Sequence, residues 1–343
     1  MTFDEQMMLR CLQLAELGKG NVAPNPMVGA VIVHEGKIIG EGYHQQFGGP
    51  HAEVNAVNSV ENEELLKEST IYVTLEPCSH FGKTPPCANL LVEKNFKRVV
   101  IGTLDAHAKV FKKGVKRLED HGIDVTVGVC EQACLELNRA FFTFHEKKRP
   151  FVLLKWAQTQ NGLLDNSEGK QGEVSWISAP ETQVKVHQWR VEIQSILVGK
   201  NTVLNDDPSL TVRAVKGTNP IRIVLDSNNA IPSSTKVKNG EVETIVFNVE
   251  KEGEEHGVRY VQLTELSPER ILKSLYEQHI QSVLIEGGKS VLQSFIDSDL
   301  WDEARVISGK STFKSGTPAP EINGQKIKEE VFFGDHISYL RPL

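Results

Sequence analysis

The stretch TLEPCSHFGKTPPC, residues 74–87, and the earlier stretch HAEVNAV, residues 51–57, decide the fold of the first half of the chain. His51 and Cys87 each lie at the start of a predicted helix. One imidazole and two thiolates, at His51, Cys78 and Cys87, form a three-ligand zinc site that leaves a fourth position for water. Glu53 cannot easily bind the same ion and is placed to transfer protons.

Zinc-dependent deaminases carry the signature His-x-Glu followed by Pro-Cys-x-x-Cys. The chain matches it at His51, Glu53 and Cys78, but the second cysteine, Cys87, is displaced by six residues. The alternatives are two buried thiols beside a surface histidine, or a structural zinc ion for which His80 is a conceivable fourth ligand. The signature favours catalysis, in which Glu53 passes a proton from water to a leaving amine.

The segments around these motifs alternate between helix and strand patterns. A capping box at Thr2–Glu5 begins the first helix, and Glu35-Gly36 is the turn of a predicted hairpin. Strands that alternate with helices predict an α/β sheet covered on both faces. The predicted strands are 28–33, 38–42, 71–75, 99–101 and 125–127, and the predicted helices after the first are 51–60, 87–94, 114–121 and 131–144.

The charged stretch at residues 145–150 is predicted to separate two domains, residues 1–147 and 148–343. A chain of 343 residues is longer than one ordinary domain, and the α/β pattern restarts after this stretch. The predicted strands of the second half are 151–157, 195–198, 221–225, 244–247, 258–262, 282–285 and 304–307, and its predicted helices are 180–192, 267–278 and 289–297.

Composition excludes several classes of protein. Hydrophobic residues make up 39%, too many for a disordered chain, and the net charge of −7 argues against a nucleic-acid binder that relies on bulk positive charge. No apolar run reaches about 18 residues, and residues 1–10 lack a basic region followed by an apolar one, so neither a spanning helix nor a secretory signal is expected. The five cysteines do not form a disulfide framework, so we expect a reduced, cytoplasmic protein.

The second half carries its own candidate site at residues 286–290, Glu-Gly-Gly-Lys-Ser, which follow an apolar strand and begin a helix. Two glycines let backbone amides approach a phosphate there, although a plain tight turn fits the pattern equally well. No G-x-G-x-x-G follows a strand, so a standard Rossmann fold is not expected. Lys155 and Glu286, both at strand ends, are either a catalytic pair or a structural salt bridge.

Several stretches resemble the bifunctional deaminase–reductase family of riboflavin biosynthesis. They are PNPMVGAVIV (24–33), GEGYH (40–44), the two stretches that carry the zinc motif, LLKWAQTQNG (153–162), WRVEIQSILVGKNTVLNDDPSLTVR (189–213), IRIVLDS (221–227) and LIEGGKS (284–290). The resemblance covers nearly the whole chain. It implies a cytidine-deaminase-like α/β/α sandwich at the N-terminus and a dihydrofolate-reductase-like α/β domain at the C-terminus.

For the first domain the resemblance implies zinc-dependent deamination of an aminopyrimidinone that carries phosphoribosylamine. It assigns the zinc ion to His51, Cys78 and Cys87, and proton transfer to Glu53. The implied substrate contacts are Asn25, His44, Lys83, Thr84 and Asp105. Without the resemblance, Asn25 is an ordinary turn asparagine and His44 a histidine at a strand end.

For the second domain the resemblance implies reduction by NADPH of the ribosyl group, opened to its imine or aldehyde form, to ribityl. The implied catalytic residues are Lys155, Asp206 and Glu286. The implied cofactor contacts are Ala157, Trp176, Thr202, Asp206, Ser227, Gly288, Lys289, Ser290, Val291, Leu292, Gln293 and Ser294. The implied substrate contacts are Arg190, Leu210, Arg213 and Glu286, of which the arginines suit a phosphate dianion.

Two stretches depart from the family pattern. Relatives carry Asp-Pro-Asn-Pro before a Val-Ala-Gly-x-Gly run, whereas here Asp105 is followed by His107 and Phe111. Relatives also carry Asp-Gly where this chain has Asn161 before glycine, which keeps the turn but loses a charge. A deaminase with a degenerate or differently specific reductase domain is therefore the alternative.

Two further hypotheses belong to other classes of protein. A nucleic-acid deaminase would share the zinc chemistry, but the negative net charge and the reductase-like half weigh against it. A non-catalytic zinc- or nucleotide-binding protein would account for the departures, but the intact zinc motif weighs against it. We therefore expect an enzyme with zinc and NADPH that acts on a small-molecule pyrimidine phosphoriboside. We expect no nucleic-acid or membrane partner, and assembly as a homo-oligomer, either a dimer or a tetramer.

Overall fold

The computed structural model of the chain describes residues 1–79, 85–106, 110–168 and 176–343. The chain divides into two compact units, Met1–Lys147 and Lys148–Leu343. Among the described residues, no helix has both the length and the apolar character that crossing a bilayer requires.

The first unit is a five-stranded mixed sheet between helices. Its elements are α1 (Phe3–Glu16), β1 (Gly29–His34), β2 (Lys37–Tyr43), α2 (Ala52–Asn58), a 3-10 helix (Glu63–Glu68), β3 (Thr70–Leu75), α3 (Cys87–Glu93), β4 (Arg98–Thr103), α4 (Lys113–Glu119), β5 (Asp124–Val127), α5 (Glu131–Leu137) and α6 (Arg139–Lys147). The strand order is β2-β1-β3-β4-β5. β1 pairs antiparallel with β2 and β3, and the β3, β4 and β5 pairings are parallel.

Alternation along the strands builds a core on each face of this sheet. In β1, Ala30 and Ile32 belong to the cluster shared with α2, α3 and α4, whereas Val31 and Val33 belong to the cluster shared with α1 and α5. Successive side chains of a strand point to opposite faces. The two clusters therefore lie on opposite faces, and the predicted α/β/α arrangement is confirmed.

The predicted helix start and hairpin turn are both present. Thr2 accepts a hydrogen bond from the Glu5 N–H and donates its own N–H to the Glu5 carboxylate. Glu35 and Gly36 have φ values of 47° and 75°, the left-handed conformation that a tight two-residue hairpin turn requires.

The prediction of one helix over residues 131–144 is wrong, because α5 ends at Leu137 and α6 begins at Arg139. Asn138 lies between them, and its side chain hydrogen-bonds both the N–H and the carbonyl oxygen of Met27 at 2.8 Å. These distant contacts hold Asn138 out of helical geometry, which the periodic apolar pattern does not report.

The second unit is built on a ten-stranded sheet. Its elements are β6 (Phe151–Gln158), α7 (Pro180–Glu192), β7 (Ser195–Gly199), α8 (Lys200–Asp206), β8 (Ile221–Leu225), a 3-10 helix (Lys236–Lys238), β9 (Thr244–Asn248), β10 (Gly253–Glu255), β11 (Val258–Gln262), α9 (Pro268–Glu277), β12 (Ser282–Ile285), α10 (Lys289–Asp297), β13 (Glu303–Ser308), β14 (Gln325–Phe332) and β15 (Asp335–Arg341). The strand order is β10-β11-β9-β8-β7-β12-β6-β13-β15-β14.

The strands from β11 to β13 in this order are all parallel neighbours. Every one of them was predicted. β9, β7 and β12 are buried along their whole length and contain apolar runs, whereas β11, VRYVQ, alternates between buried and partly exposed residues. The strands β10, β14 and β15 and the short helix α8 were not predicted. β14 is mostly exposed and carries the charged sequence QKIKEEVF, so it lacks the apolar pattern of a strand.

Helices cover both faces of this sheet. Leu272 of α9 and Phe295 of α10 belong to the large core on one face, whereas Trp189 of α7 packs with Ile307 and Ile337 of β13 and β15 on the other. Because β8, β7, β12 and β6 are parallel neighbours, their carboxyl ends share one edge of the sheet, where sites are built in such folds.

Candidate active sites

Three metal-binding side chains converge where two helices of the first unit begin. His51 is the N-cap residue of α2, Cys87 is the first residue of α3, and Cys78 lies in the turn after β3. His51 Nδ1 lies 3.6 Å from Cys78 Sγ and 3.3 Å from Cys87 Sγ. The three ligand atoms all lie within 4.8 Å of one another, and no fourth described residue joins the group. This donor set fits a zinc ion with one open position.

The three ligand side chains share protons when no metal is bound. Hydrogen bonding to Cys78 raises the pKa of His51 to about 9 and also raises the pKa of Cys87, so zinc would displace protons from both. Hydrogen bonding to Cys87 outweighs burial and lowers the pKa of Cys78 to about 4, which favours a thiolate in this cluster. Glu53, in the first turn of α2, is only 3% exposed. Burial raises the pKa of Glu53 to about 6, although the charge of His51 opposes the shift. A carboxyl group with such a pKa both accepts and returns a proton near neutral pH.

Asn25 and His44, two of the predicted substrate contacts, are hydrogen-bonded to each other beside His51. The ring of His44 lies edge-on to that of His51, with 5.5 Å between the centroids. His44 Nδ1 lies 2.9 Å from the Pro50 carbonyl oxygen and carries the ring proton, because a carbonyl oxygen only accepts. His44 Nε2 therefore accepts from Asn25 Nδ2 at 3.1 Å. The Asn25 amide is thus held in one orientation, in which Oδ1 is not bonded to His44.

Glu76, which was not predicted from the sequence, organises the chain around the zinc ligands. It lies two residues before Cys78 and is 3% exposed. Its carboxylate accepts four backbone N–H groups at 2.9–3.3 Å, those of Asp105, Lys112, Gly114 and Val115. One buried carboxylate therefore ties the loop of Asp105 and the start of α4 to the turn that carries Cys78. The sequence offered one indication of this role, an acidic residue two positions before a cysteine of the zinc motif. If such a carboxylate is buried, it needs several hydrogen-bond donors.

The loop that departs from the family pattern keeps its anchor at Gly114. A Cβ at Gly114 would lie 2.1 Å from the Pro77 carbonyl oxygen, so only glycine allows this approach. Asp105 is buried in the same loop, and Phe111 is half exposed. The predicted substrate contacts Lys83 and Thr84 lie outside the described residues, as do His80 and His107.

Lys155, Glu286 and Arg190 form one cluster at the carboxyl edge of the second sheet. The register pairs Leu154 of β6 with Ile285 of β12, so the next residues along, Lys155 and Glu286, are neighbours. Lys155 Nζ lies 4.0 Å from Glu286 Oε1. Arg190 donates from Nε and Nη2 to the two Glu286 oxygens at 3.3 and 2.7 Å. The structure thus brings together three residues that lie far apart in the sequence.

The charges of this cluster depend on one another. Burial disfavours a carboxylate at Glu286, but Arg190 and Lys155 outweigh it and lower its pKa to about 2. Burial lowers the pKa of Lys155, and Glu286 offsets part of this shift. Arg190 Nη1 also donates to the Thr211 carbonyl oxygen at 3.0 Å. The resemblance assigns Arg190 to the substrate phosphate, but its Nε, Nη1 and Nη2 atoms already donate hydrogen bonds within the protein.

The predicted substrate contact Arg213 lies beside a buried histidine, His187, that was not predicted. The exposed Arg213 donates its backbone N–H to His187 Nδ1 at 3.2 Å. Burial, together with the charges of Arg190 and Arg213, lowers the pKa of His187 to about 4. Leu210 is 3% exposed and has a φ of 54°, so a non-glycine residue is held in the left-handed region at this position.

The glycine turn before α10 fits a nucleotide phosphate. A Cβ at Gly287 would lie 2.8 Å from Val198 Cα, and Gly288 has a φ of 53° with only Thr202 Oγ1 near its Cβ position, at 3.6 Å. No described side chain caps the N-terminus of α10. Its first backbone N–H groups are therefore open to an anion, which the helix dipole also favours. These features fit the pyrophosphate of NADPH.

Beyond Ser290 the predicted cofactor contacts in α10 use their side chains elsewhere. Leu292 is buried in the core, the Gln293 amide donates to Asp297 and to the Glu321 carbonyl oxygen, and Ser294 donates to the Val291 carbonyl oxygen. A cofactor would therefore meet the first turn of this helix rather than its later side chains.

The remaining predicted cofactor contacts are placed by several elements. Ala157 is in β6, Thr202 and Asp206 are in α8, and Ser227 is exposed just after β8. Trp176 is 60% exposed, with no core contact among the described residues.

Asn161, the second departure from the family pattern, is held by contacts that use both halves of its amide. Its Oδ1 accepts from Thr159 Oγ1 at 2.8 Å, and its Nδ2 donates to the Phe313 carbonyl oxygen at 2.8 Å. An aspartate could accept the first hydrogen bond but not donate the second. Asparagine is thus the better structural fit to this turn.

Comparisons of the sequence with known families match both units. Residues 150–310 match the RibD C-terminal domain, and residues 1–103 match the cytidine and deoxycytidylate deaminase zinc-binding region. The riboflavin biosynthesis protein RibD of Aquifex aeolicus is 41% identical over 96% of this chain and 93% of its own length. RibD of Escherichia coli K12 is 35% identical over 88% of this chain and 86% of its own length.

Solved structures agree. A diaminohydroxyphosphoribosylaminopyrimidine deaminase/5-amino-6-(5-phosphoribosylamino)uracil reductase from Thermotoga maritima is 38% identical, with a TM-score of 0.91 over 99% of both chains. Acinetobacter baumannii RibD is 30% identical, with a TM-score of 0.90 and the same coverage. The predicted fold class, a cytidine-deaminase-like unit followed by a dihydrofolate-reductase-like unit, is confirmed. With such identity over almost the full length of its relatives, the chain belongs to the RibD family, the bifunctional deaminase–reductases of riboflavin biosynthesis.

Proposed function

We propose that the chain hydrolytically deaminates 2,5-diamino-6-(5-phosphoribosylamino)pyrimidin-4(3H)-one and then reduces the ribosyl group of 5-amino-6-(5-phosphoribosylamino)uracil to ribityl with NADPH. The first reaction is assigned to Met1–Lys147 and the second to Lys148–Leu343. The name of the similar Thermotoga enzyme, which carries both activities, supports these substrates.

In the deaminase site, His51, Cys78 and Cys87 would hold the zinc ion. Zinc, when bound, lowers the pKa of a coordinated water so that hydroxide is available near neutral pH. The Glu53 carboxylate takes up the proton that the water loses and returns it to the exocyclic nitrogen, which leaves as ammonia. The oriented amide of Asn25 hydrogen-bonds the pyrimidine, so that the carbon bearing the amine faces the zinc ligands.

In the reductase site, Gly288 and the first turn of α10 would hold NADPH, which supplies the hydride when bound. As the imine or aldehyde carbon of the opened sugar is reduced, its nitrogen or oxygen needs a proton. Lys155 is suited to give it, because burial lowers its pKa and makes the ammonium a stronger acid. Glu286 holds Lys155 in place, and the exposed guanidinium of Arg213 is free to bind the substrate phosphate. Asp206, at the end of α8, is the third residue that we assign to this site.

The observation that carries this proposal is the presence of two separate sites in one chain. The zinc-ligand group lies beside the buried Glu53 in one unit, and the Lys155–Glu286 pair lies at the glycine-turn edge of the sheet in the other. Each arrangement fits one of the two reactions, because the first has the metal ligands that hydrolytic deamination uses and the second has a glycine turn that fits a nucleotide phosphate.

A paired assay tests the proposal on the purified chain. It follows ammonia release from the diaminopyrimidine phosphoriboside, NADPH absorbance with the deaminated product, and the amount of bound zinc. We expect both activities and about one zinc ion per chain, as a three-ligand site requires. Glu53→Gln should abolish ammonia release while NADPH oxidation continues.

Two outcomes would contradict parts of this assignment. Equal loss of both activities in Glu53→Gln would mean that the sites are not independent. Ammonia release without NADPH oxidation in the unmodified chain would support the alternative, a deaminase with a degenerate or differently specific reductase domain.

We further propose that the chain is cytoplasmic and forms a homo-oligomer, a dimer or a tetramer, as the resemblance implies. Size-exclusion chromatography with light scattering measures the second property directly, and a monomer at micromolar concentration would contradict it.

A further inference from the structure

We propose, on the basis of the reductase function proposed above, that Lys200 binds the 2′-phosphate on the adenosine ribose of NADPH together with Ser227 and Asn228. These residues would make the second unit prefer NADPH to NADH. They lie at the end of the cofactor that takes no part in hydride transfer.

The strand order gives the direction in which a dinucleotide lies along the sheet edge. The hydride-donating end must meet Lys155 and Glu286, which follow β6 and β12. The pyrophosphate fits the turn at Gly288, whose nearest neighbour at the Cβ position is Thr202, just after β7. The next strand along the same edge is β8. Three strand spacings, roughly 14 Å, separate β6 from β8 and suit an extended dinucleotide. The adenosine end therefore lies where β7 and β8 end.

The side chains at that place have the chemistry of a phosphate site. Lys200 follows β7, and its Nζ donates to Asn228 Oδ1, just after β8, at 2.9 Å. Among the described residues this neutral amide is the only partner of the Lys200 ammonium, so no carboxylate compensates the charge. The amide oxygen of Asn228 is occupied, so its Nδ2 faces elsewhere with two N–H donors. With the exposed Ser227 hydroxyl, an ammonium, an amide N–H and a hydroxyl are available to one dianion.

The acidic residue of the same turn does not oppose this assignment. In Rossmann folds that prefer NADH, a carboxylate after a strand accepts the ribose 2′-hydroxyl, and a carboxylate placed in the same way here would repel a 2′-phosphate. Asp226 directly follows β8, but it is 0% exposed. Its oxygens accept the N–H groups of Ala230 and Ile231 at 3.0 and 2.9 Å. Asp226 therefore stabilises its own turn, and Lys200 faces the place where the ribose would lie.

Lys200→Ala tests the proposal in two ways: by the KM values for NADPH and NADH, and by the affinity for nucleotides that bind without turnover. We expect the KM for NADPH to rise at least about tenfold, the loss expected for one charge-assisted hydrogen bond, while the KM for NADH changes less than twofold. The affinity for adenosine 2′,5′-bisphosphate, measured by calorimetry, should fall by a similar factor, and that for adenosine 5′-diphosphate should not.

Two matched variants separate this role from others. Lys273→Ala removes an exposed lysine of α9 that pairs with Glu277. In this variant the ratio of the KM values for NADPH and NADH, and the ratio of the two adenosine nucleotide affinities, should stay at the wild-type value. Lys289→Ala, at the glycine turn, should weaken NADPH and NADH equally. An unchanged NADPH/NADH ratio in Lys200→Ala, or equal weakening of both cofactors, would overturn the proposal. If the unmodified chain neither binds nor oxidises NADPH, the proposed reductase function fails, and the assignment of Lys200 fails with it.

Discussion

The Asn25 amide donates to the His44 ring at 3.1 Å, and the His44 ring is itself held by the Pro50 carbonyl oxygen at 2.9 Å. Two hydrogen bonds in series thus set a ring tautomer and, through it, an amide orientation. His44 is 3% exposed, and burial lowers its pKa, so the neutral ring that this arrangement needs is also the favoured one.

His44→Phe keeps a buried ring but removes both nitrogens. The Asn25 amide then loses its partner, so we expect the KM for the diaminopyrimidine to rise about fivefold to tenfold, the value of one hydrogen bond. Steady-state deamination measures this change. NADPH oxidation by the same preparation is the control and should be unchanged, because the reductase residues belong to the other unit. An unaltered KM would show that Asn25 does not need His44.

Arg190→Met leaves Glu286 buried without its closest partner. Such a loss costs about 3–5 kcal/mol, so the denaturation midpoint of the variant should fall markedly. Adding Glu286→Gln removes the uncompensated charge, and the double variant should be more stable than Arg190→Met alone. Chemical denaturation of the four proteins of this cycle gives the coupling energy. Additive effects would mean that the pair does not stabilise the fold.

His187 makes the stability of the second unit dependent on pH. Its pKa is about 4 in the folded chain against an ordinary value near 6.5, because burial and two arginines disfavour its protonation. Between these values the unfolded chain binds a proton that the folded chain does not. Stability should therefore be complete above pH 6.5 and decline as the pH falls toward 4.

His187→Gln removes this titration, and its amide oxygen can still accept the Arg213 N–H. The melting temperature of the variant should fall less between pH 7 and pH 4 than that of the unmodified chain. If the melting temperatures of the two proteins fell by the same amount between pH 7 and pH 4, the assignment of the pH dependence to His187 would be contradicted.

Glu76→Ala leaves four backbone N–H groups without their buried acceptor. We expect a loss of at least about 2 kcal/mol and less bound zinc, because the turn of Cys78 and the loop of Asp105 are no longer tied together. Glu64→Ala is the control: Glu64 is 83% exposed and, in the described part of the chain, its carboxylate pairs only with Lys67 on the surface, so it should change little. Metal analysis and thermal melting measure both effects. Full zinc content in Glu76→Ala would limit the role of Glu76 to the Asp105 loop.

Asn161→Asp restores the residue that relatives carry and removes an amide donor. The carboxylate would face the Phe313 carbonyl oxygen, which now accepts from Asn161 at 2.8 Å. Because this site is exposed, we expect a modest loss of about 0.5–1 kcal/mol in the free energy of unfolding. If the missing charge limits reduction, kcat for NADPH oxidation rises while the melting temperature falls. A variant as stable as the parent would contradict the hydrogen bonding described for Asn161.

Buried elements of the fold were easier to predict from the sequence than exposed ones. The parallel strands of the second unit were all predicted, from apolar runs in the buried strands such as β7 and β12 and from alternation in β11, whereas the edge strand β14 exposes most of its residues and was not. The break at Asn138 was missed for a related reason. It depends on hydrogen bonds to Met27, more than one hundred residues earlier in the chain, and no local pattern reports such a contact.

By itself, the sequence identified the candidate residues of both sites: His51, Cys78, Cys87 and Glu53 in the first unit, and a glycine turn with Lys155 and Glu286 in the second. It could do so because a zinc site or a phosphate turn requires particular residue types at particular places along the chain. Only the tertiary structure decided the partners of those residues. Glu286 is paired by Arg190 of α7, and the loop of Asp105 is held by Glu76 after β3. These pairs lie far apart in the sequence, and only the packing of helices and loops against the two sheets brings their atoms within hydrogen-bonding distance.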